Sequence, residues 1–207
     1  MPLPVFDPCA FNFETHDLTR TETTISGGRS LSGNEDEIAT DGGGYWALQL
    51  AGGTTFEIDD AMAWRLFQEQ ASGAAAVEVV LDVENLFRPR NPDGSGSPAA
   101  YTASASAALR ATTMTISGTS DVPVVAGMLF SIAHTNWGKR VYRVMSKSGG
   151  TITFVPPLRE AITSGTALDF NTPTCTMKRV GEASSPTTGG RYTECAIAFV
   201  EYPDRLT

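Results

Sequence analysis

The most regular pattern in the chain is the alternation over Tyr45 to Ala51, where Trp46, Leu48 and Leu50 fall on one parity and Tyr45, Ala47 and Gln49 on the other. Successive strand side chains point to opposite faces, so a period of two predicts a strand with one face in a core. Val77 to Val83 repeats it, with Val77, Val79, Leu81 and Val83 set against Glu78, Val80 and Asp82. Between these strands the period changes. Ile58, Met62, Ala63, Leu66 and Phe67 recur at three- and four-residue intervals, which predicts one helix over about 58–72 with those side chains facing the core. Asp59 and Asp60 suit its start, where a carboxylate accepts free backbone N–H groups and complements the helix dipole. Gly73 is placed to stop it. Trp64, on the flank of that face, reads as a packing residue.

Elsewhere the signals are short and β-like. Thr19 to Ser30 is rich in Thr and Ser and predicts an extended strand ending near Gly27 and Gly28. Ser32 to Gly44 is an acidic, glycine-rich loop, and Arg88 to Ala100 concentrates Pro, Gly and Ser as an exposed excursion. Further strands are expected at Leu109 to Ser117, Gly127 to Ala133, Arg140 to Ser146, Thr151 to Val155, Ala167 to Phe170, Thr174 to Val180 and Tyr192 to Tyr202, with a hairpin turn at Ser148-Gly149-Gly150. Pro156-Pro157 stops the Thr151 strand, since proline cannot donate to a ladder. The fold class that follows is mainly β, a β-sandwich or barrel of short antiparallel strands with one packed α-helix. Three parts are expected: a β-rich core with the helix over 1–106, a small barrel-like lobe over 107–170, and closing strands of the core over 171–207.

Composition narrows the function classes. Charged residues make up 18% of the chain, below the roughly 25% of ordinary soluble domains, so small polar and apolar side chains cover much of the surface, as protein interfaces tolerate. A net charge of −8 disfavours phosphate backbones and anionic membrane surfaces. The basic pairs Arg88 with Arg90 and Lys139 with Arg140 are scattered and read as solvated or interface side chains. Neither sequence-specific nucleic-acid binding nor membrane insertion is expected, because no run is long and apolar enough to span a bilayer. The start, Met1 to Asp7, lacks the basic and apolar stretches of a signal peptide, so folding in the cytoplasm is expected.

No catalytic set assembles from the residue types that carry chemistry. The two histidines, His16 and His134, lie far apart, and His16, between Glu14 and Asp17, reads as a solvated side chain. Cys9, Cys175 and Cys195 are widely spaced, and Cys195 within an apolar run reads as a buried small hydrophobe. Asn91 to Ser95 is a weak likeness of a calcium loop, interrupted by proline and without a closing acid. Gly94-Ser95-Gly96-Ser97 misses the nucleophile-elbow spacing. The adjacent Asp59 and Asp60 point in different directions, and Glu35, Asp36 and Glu37 read as a solvated loop. No catalytic, cofactor-binding or metal-binding residue is assigned, no cofactor is expected, and the chain reads as a building block and not an enzyme.

Two segments carry a resemblance. Ser32-Gly33-Asn34-Glu35 leads through Asp41-Gly42-Gly43-Gly44-Tyr45-Trp46-Ala47 to Ala63-Trp64-Arg65. Further on, Tyr142-Arg143-Val144 precedes Thr151-Ile152-Thr153-Phe154-Val155-Pro156-Pro157-Leu158-Arg159, then Ala161-Ile162 and Gly165. In that order they resemble tail-tip proteins of long-tailed (siphophage-type) phages and prophages, distal tail proteins among them. The resemblance implies a virion structural protein at the tail tip, made in the host cytoplasm. Its implied partners are further copies of itself, in a hexameric ring, and the tail tube and tail hub or baseplate proteins. A carbohydrate-binding host-attachment module is the alternative, with Tyr101, Trp137 and Tyr142 as the aromatics able to stack on sugars. A glycan-degrading enzyme would need two carboxylates across a cleft, and none is paired by the sequence.

Overall fold

The computed structural model describes residues 3–22, 24–29, 35–39, 43–55, 57–73, 75–81, 100–119, 123–184, 187–188 and 192–203. Mainly β, these residues form two large sheets with a single α-helix. The first sheet has the order β1 (Val5–Phe6), β6 (Ala76–Val80), β13 (Thr174–Ser184), β15 (Tyr192–Glu201), β5 (Tyr45–Thr55), β2 (Thr15–Thr21), with β14 (Thr187–Thr188) on β15. β1 runs parallel to β6, and the other pairs are antiparallel. The second sheet has the order β12 (Ala167–Leu168), β7 (Ala100–Ala103), β8 (Thr113–Thr119), β11 (Thr151–Val155), β10 (Gly138–Ser148), β9 (Leu129–His134). It closes on itself: Ser131 on β9 exchanges backbone hydrogen bonds of 2.8 and 2.9 Å with Asp169, one residue past β12, giving a nearly complete barrel. β3 (Thr24–Arg29) and β4 (Glu35–Ala39) form a separate two-stranded sheet, so the strand expected over Thr19 to Ser30 is split between β2 and β3.

The barrel sits between two neighbouring strands of the first sheet. The chain leaves β6 at Leu81 and re-enters β13 after Pro173, and these points touch, with Leu81 N–H donating to the Pro173 carbonyl at 2.8 Å. β7 pairs with β8 and β12, so the barrel starts before the boundary expected at 107. Cross-strand pairing, absent from a local pattern, decides that membership.

β9 and β10 form a shared wall. Leu129 and Val141 face the core of the first sheet, while the adjacent Phe130 and Tyr142 fill the barrel with Phe154 and Phe170. Both faces are covered, which suits the near-continuous apolar run of β9.

The helix α1 (Ile58–Gln70) lies on the first sheet, and of the stripe the spacing predicts only Phe67 is buried. Trp64, Phe67 and Ala71 are buried, whereas Ile58, Met62, Ala63 and Leu66 are exposed. The cause is an aromatic cluster supplied by the start of the chain. Phe67 stacks on Phe6 at 4.4 Å, Trp64 meets Phe11 edge-on at 5.2 Å, and Phe13 and Phe199 complete the packing. Rotating Trp64 inward removes far more apolar surface than burying Ala63. The N-cap is Glu57, without a side-chain cap bond, so Asp59 and Asp60 act in the first turn through the dipole and not as hydrogen-bonding caps. The helix ends at Gln70, and Gly73 follows with a φ of +65°. No helix among the described residues is long and apolar enough to cross a membrane.

Candidate functional site at the joint between sheet and barrel

Parts of the two segments that carry the resemblance meet in space, while Trp64 of the first packs in the aromatic cluster under the helix and its residues 32–34 and 41–42 lie outside the described residues. β5 opens with Gly43-Gly44 ahead of Tyr45, and the barrel presents Pro156-Pro157 after β11. Gly43 (φ +65°) lies so close to this turn that an added Cβ would stand 2.3 Å from Pro157 Cδ. Glycine is therefore required on two counts, conformation and space. Arg20 donates from Nη1 to the Gly43 carbonyl at 3.1 Å, and Arg159 donates to that of Gly44. Trp46, 1% exposed, donates from its indole to the Val141 carbonyl at 2.9 Å, and the Arg143 guanidinium lies 4.9 Å from its ring centroid. The likeness thus falls on residues that join the two halves of the molecule.

Glu201 is the centre of this joint. The last residue of β15, it stands in phase with the buried Cys195, Ile197 and Phe199, and is itself only 6% exposed. Its carboxylate accepts from Trp46 N at 3.1 Å, Arg140 Nη1 at 3.3 Å, Arg159 Nε at 3.1 Å and Arg159 Nη2 at 3.3 Å. Arg140, 1% exposed, also donates to the Thr176 carbonyl at 3.4 Å, and its guanidinium lies 5.5 Å from the Trp137 ring. Arg140 is therefore not the solvated or interface residue that its sequence neighbourhood suggests. Its neighbour Lys139 pairs with Glu78 at 2.7 Å. A buried cation persists only beside a counter-charge, and Glu201 supplies it. Neither residue is singled out by motif or spacing. The available signal is a charge on inward parity: Glu201 follows Ile197 and Phe199, and Arg140 precedes Tyr142 and Val144.

A hydrogen-bonded chain continues into the barrel. Arg159 N–H donates to Tyr142 Oη at 3.2 Å, and Tyr142 Oη lies 2.7 Å from His134 Nε2. Burial raises the Tyr142 pKa, so the phenol keeps its proton at neutral pH. Burial lowers the His134 pKa to about 4, against a smaller opposing effect of Glu160, so the ring is neutral and able to accept.

The other candidate residues stay apart. His16 is half-buried, its Nε2 2.8 Å from the Phe13 carbonyl and its ring edge-on to Phe13, so it is packed and not solvated. Cys195 and Cys175 are buried, and desolvation pushes their thiols up to about 11 and about 12, while Cys9 is exposed. Asp59 and Asp60 are exposed at the helix start. Tyr142 is fully buried and Tyr101 is half-buried against Phe170, which leaves Trp137 alone among the three expected sugar-stacking aromatics beside an open surface. Arg88, Arg90, the Asn91 to Ser95 run and Gly94 to Ser97 lie outside the described residues. Among the described residues no three His, Cys, Asp or Glu side chains gather to hold a metal ion.

Beside the joint lies an open cleft of about 580 Å³ between sheet and barrel. Tyr45, Trp137, Leu109 and Tyr202 give it apolar walls, and Arg110 and Lys178 add positive charge. The Glu201 and Arg159 side chains that reach it are engaged with each other. The arrangement can hold two β units in fixed relation and offer a lined groove beside them. No protein-family model matches the chain, and no curated protein matches it.

Proposed function

We propose that the protein is a structural component of a phage tail tip, a ring-forming subunit of the distal-tail type that joins the tail tube to the hub or baseplate. The observation that supports this most is the meeting of residues from both resemblance segments at one buried joint. Gly43, Trp46, Arg143, Pro157 and Arg159, drawn from both segments, lock barrel to sheet. A subunit that bears load between neighbours needs its parts held in fixed relation, and a packed, charge-satisfied joint does this. Chemistry at this site is disfavoured by the same features, since its acid is saturated by two arginines and an amide and its histidine is neutral and enclosed. Native mass measurement on the purified protein, followed by imaging, tests the reading. Rings of six subunits are expected. A stable monomer that hydrolyses polysaccharide refutes it.

One feature favours a second reading, a carbohydrate-binding host-attachment module: the cleft carries Trp137, Tyr45 and Tyr202 beside polar groups. Trp46 and Trp64 are buried, so fluorescence changes on glycan addition report chiefly on Trp137. Saturable quenching that disappears in Trp137→Ala supports this second reading, and an unchanged spectrum across host-surface glycans removes it.

A further inference from the structure

The helix carries a second apolar face that nothing among the described residues covers. Ile58, Met62 and Leu66 are 64%, 63% and 61% exposed and follow one another at four-residue intervals. Such spacing lines them up on one side of α1, over about 12 Å at 1.5 Å per residue. Three large side chains in a row differ from the scattered exposed hydrophobics of ordinary surfaces. A complementary feature lies on the barrel, where Val125 and Met145 are 49% and 55% exposed on the walls of a shallow groove of about 550 Å³. Ala126 lines it, and Lys147 supplies a positive charge there.

We propose that this helix face of one copy seats in the barrel groove of the next copy, head to tail. The inference rests on the ring-forming reading above and assigns the contact that would build it. Charge selects the occupant: the exposed acids Glu57, Asp59 and Asp60 crowd the first turn beside Ile58, and Lys147 waits at the groove. The groove's Met145 and the helix's Met62 are adaptable side chains suited to filling an irregular contact. Every copy carries one projecting face and one receiving groove, on different lobes fixed to each other by the Glu201 joint. A contact between unlike patches leaves one of each free after every addition, so it propagates until rotation closes it into a ring.

Met62→Asp and Met145→Asp test the assignment by analytical ultracentrifugation, with near-UV circular dichroism and melting curves verifying the fold. Both positions are exposed, so the fold is expected to survive. Each variant alone should sediment as the 22.0 kDa monomer under conditions where the wild type assembles. Mixed in equal amounts, the two variants should form a dimer and nothing larger, because each pair keeps one intact face and one intact groove. Reversing charge supplies a milder arm: Asp59→Lys with Asp60→Lys should weaken assembly at least tenfold, and adding Lys147→Glu to the same chain should restore it. Retention of the wild-type mass by either methionine variant overturns the assignment and leaves the ring reading standing. Loss in Met62→Asp with normal assembly of Met145→Asp also overturns it, in favour of helix-to-helix pairing. A wild type that stays monomeric at every concentration overturns the ring reading and this contact together.

Discussion

Replacing Glu201 with Gln should uncouple the joint while preserving its shape. The carboxylate is 6% exposed and faces Arg140, which is 1% exposed, so both charges lie almost wholly out of water. Glutamine keeps one acceptor oxygen but turns the other position into a donor, aimed among the Trp46 amide and the Arg159 guanidinium. The larger effect is on Arg140, left as a buried cation without its counter-charge. Breaking a buried pair by removing one partner costs about 3–5 kcal/mol. In a chain of this size each kcal/mol lowers the melting midpoint by about 2–4 °C, so a fall of about 6–20 °C is expected. Scanning calorimetry measures it, and Arg140→Met supplies the control. On its own that change strands the carboxylate less severely, since Arg159 still pairs with it. In the Glu201→Gln background it removes the stranded cation and should recover part of the loss. A fall below about 2 °C for Glu201→Gln, the effect of an ordinary surface pair, refutes the claim that this network joins sheet to barrel. So does strict additivity of the two substitutions, because residues in one network must couple.

Stability should also respond to His134 between pH 7 and pH 4. Its folded-state pKa of about 4 lies below the ordinary 6.5, so the unfolded chain takes up a proton that the folded chain refuses. The contribution is present in full above pH 6.5 and is lost as pH falls towards 4, reaching about 3 kcal/mol. Urea unfolding across that range should show a shallower decline for His134→Gln than for the wild type, and parallel curves would contradict the argument. On the helix, Phe67→Ala should cost about 3–5 kcal/mol by emptying the space against Phe6, whereas Leu66→Ala, exposed at 61%, should stay within about 0.5 kcal/mol for the monomer. Equal losses at the two neighbours would mean that the helix is turned the other way.

That contrast marks where sequence reasoning reached its limit. The existence of α1 was legible from its three- and four-residue spacing, but the chain offers two apolar faces, and spacing cannot rank them. Phe6, Phe11 and Phe13 rank them, and they lie more than forty residues upstream in a segment with no periodicity of its own. Trp46, Leu48 and Leu50 were legible on the buried face of β5 because a strand has only two faces and one of them here is polar. The candidate site divides in the same way. Its glycines, prolines and Trp46 stand out as motif residues, whereas Arg140 reads as a solvated or interface side chain and nothing local marks Glu201.

By itself, then, the sequence determined the β-rich class, the place of the helix, the strands from Thr151 and Tyr192, and the glycine and proline breaks between them. These follow from near neighbours, whose alternation and backbone preferences act within a few residues. Tertiary structure alone decided that Ser131 and Asp169 close the barrel, that Trp64 turns inward, and that a carboxylate 155 residues beyond Trp46 binds its amide and two arginines. Burial creates the need for a counter-charge, and which distant residue meets that need depends on how the two lobes come to rest against each other.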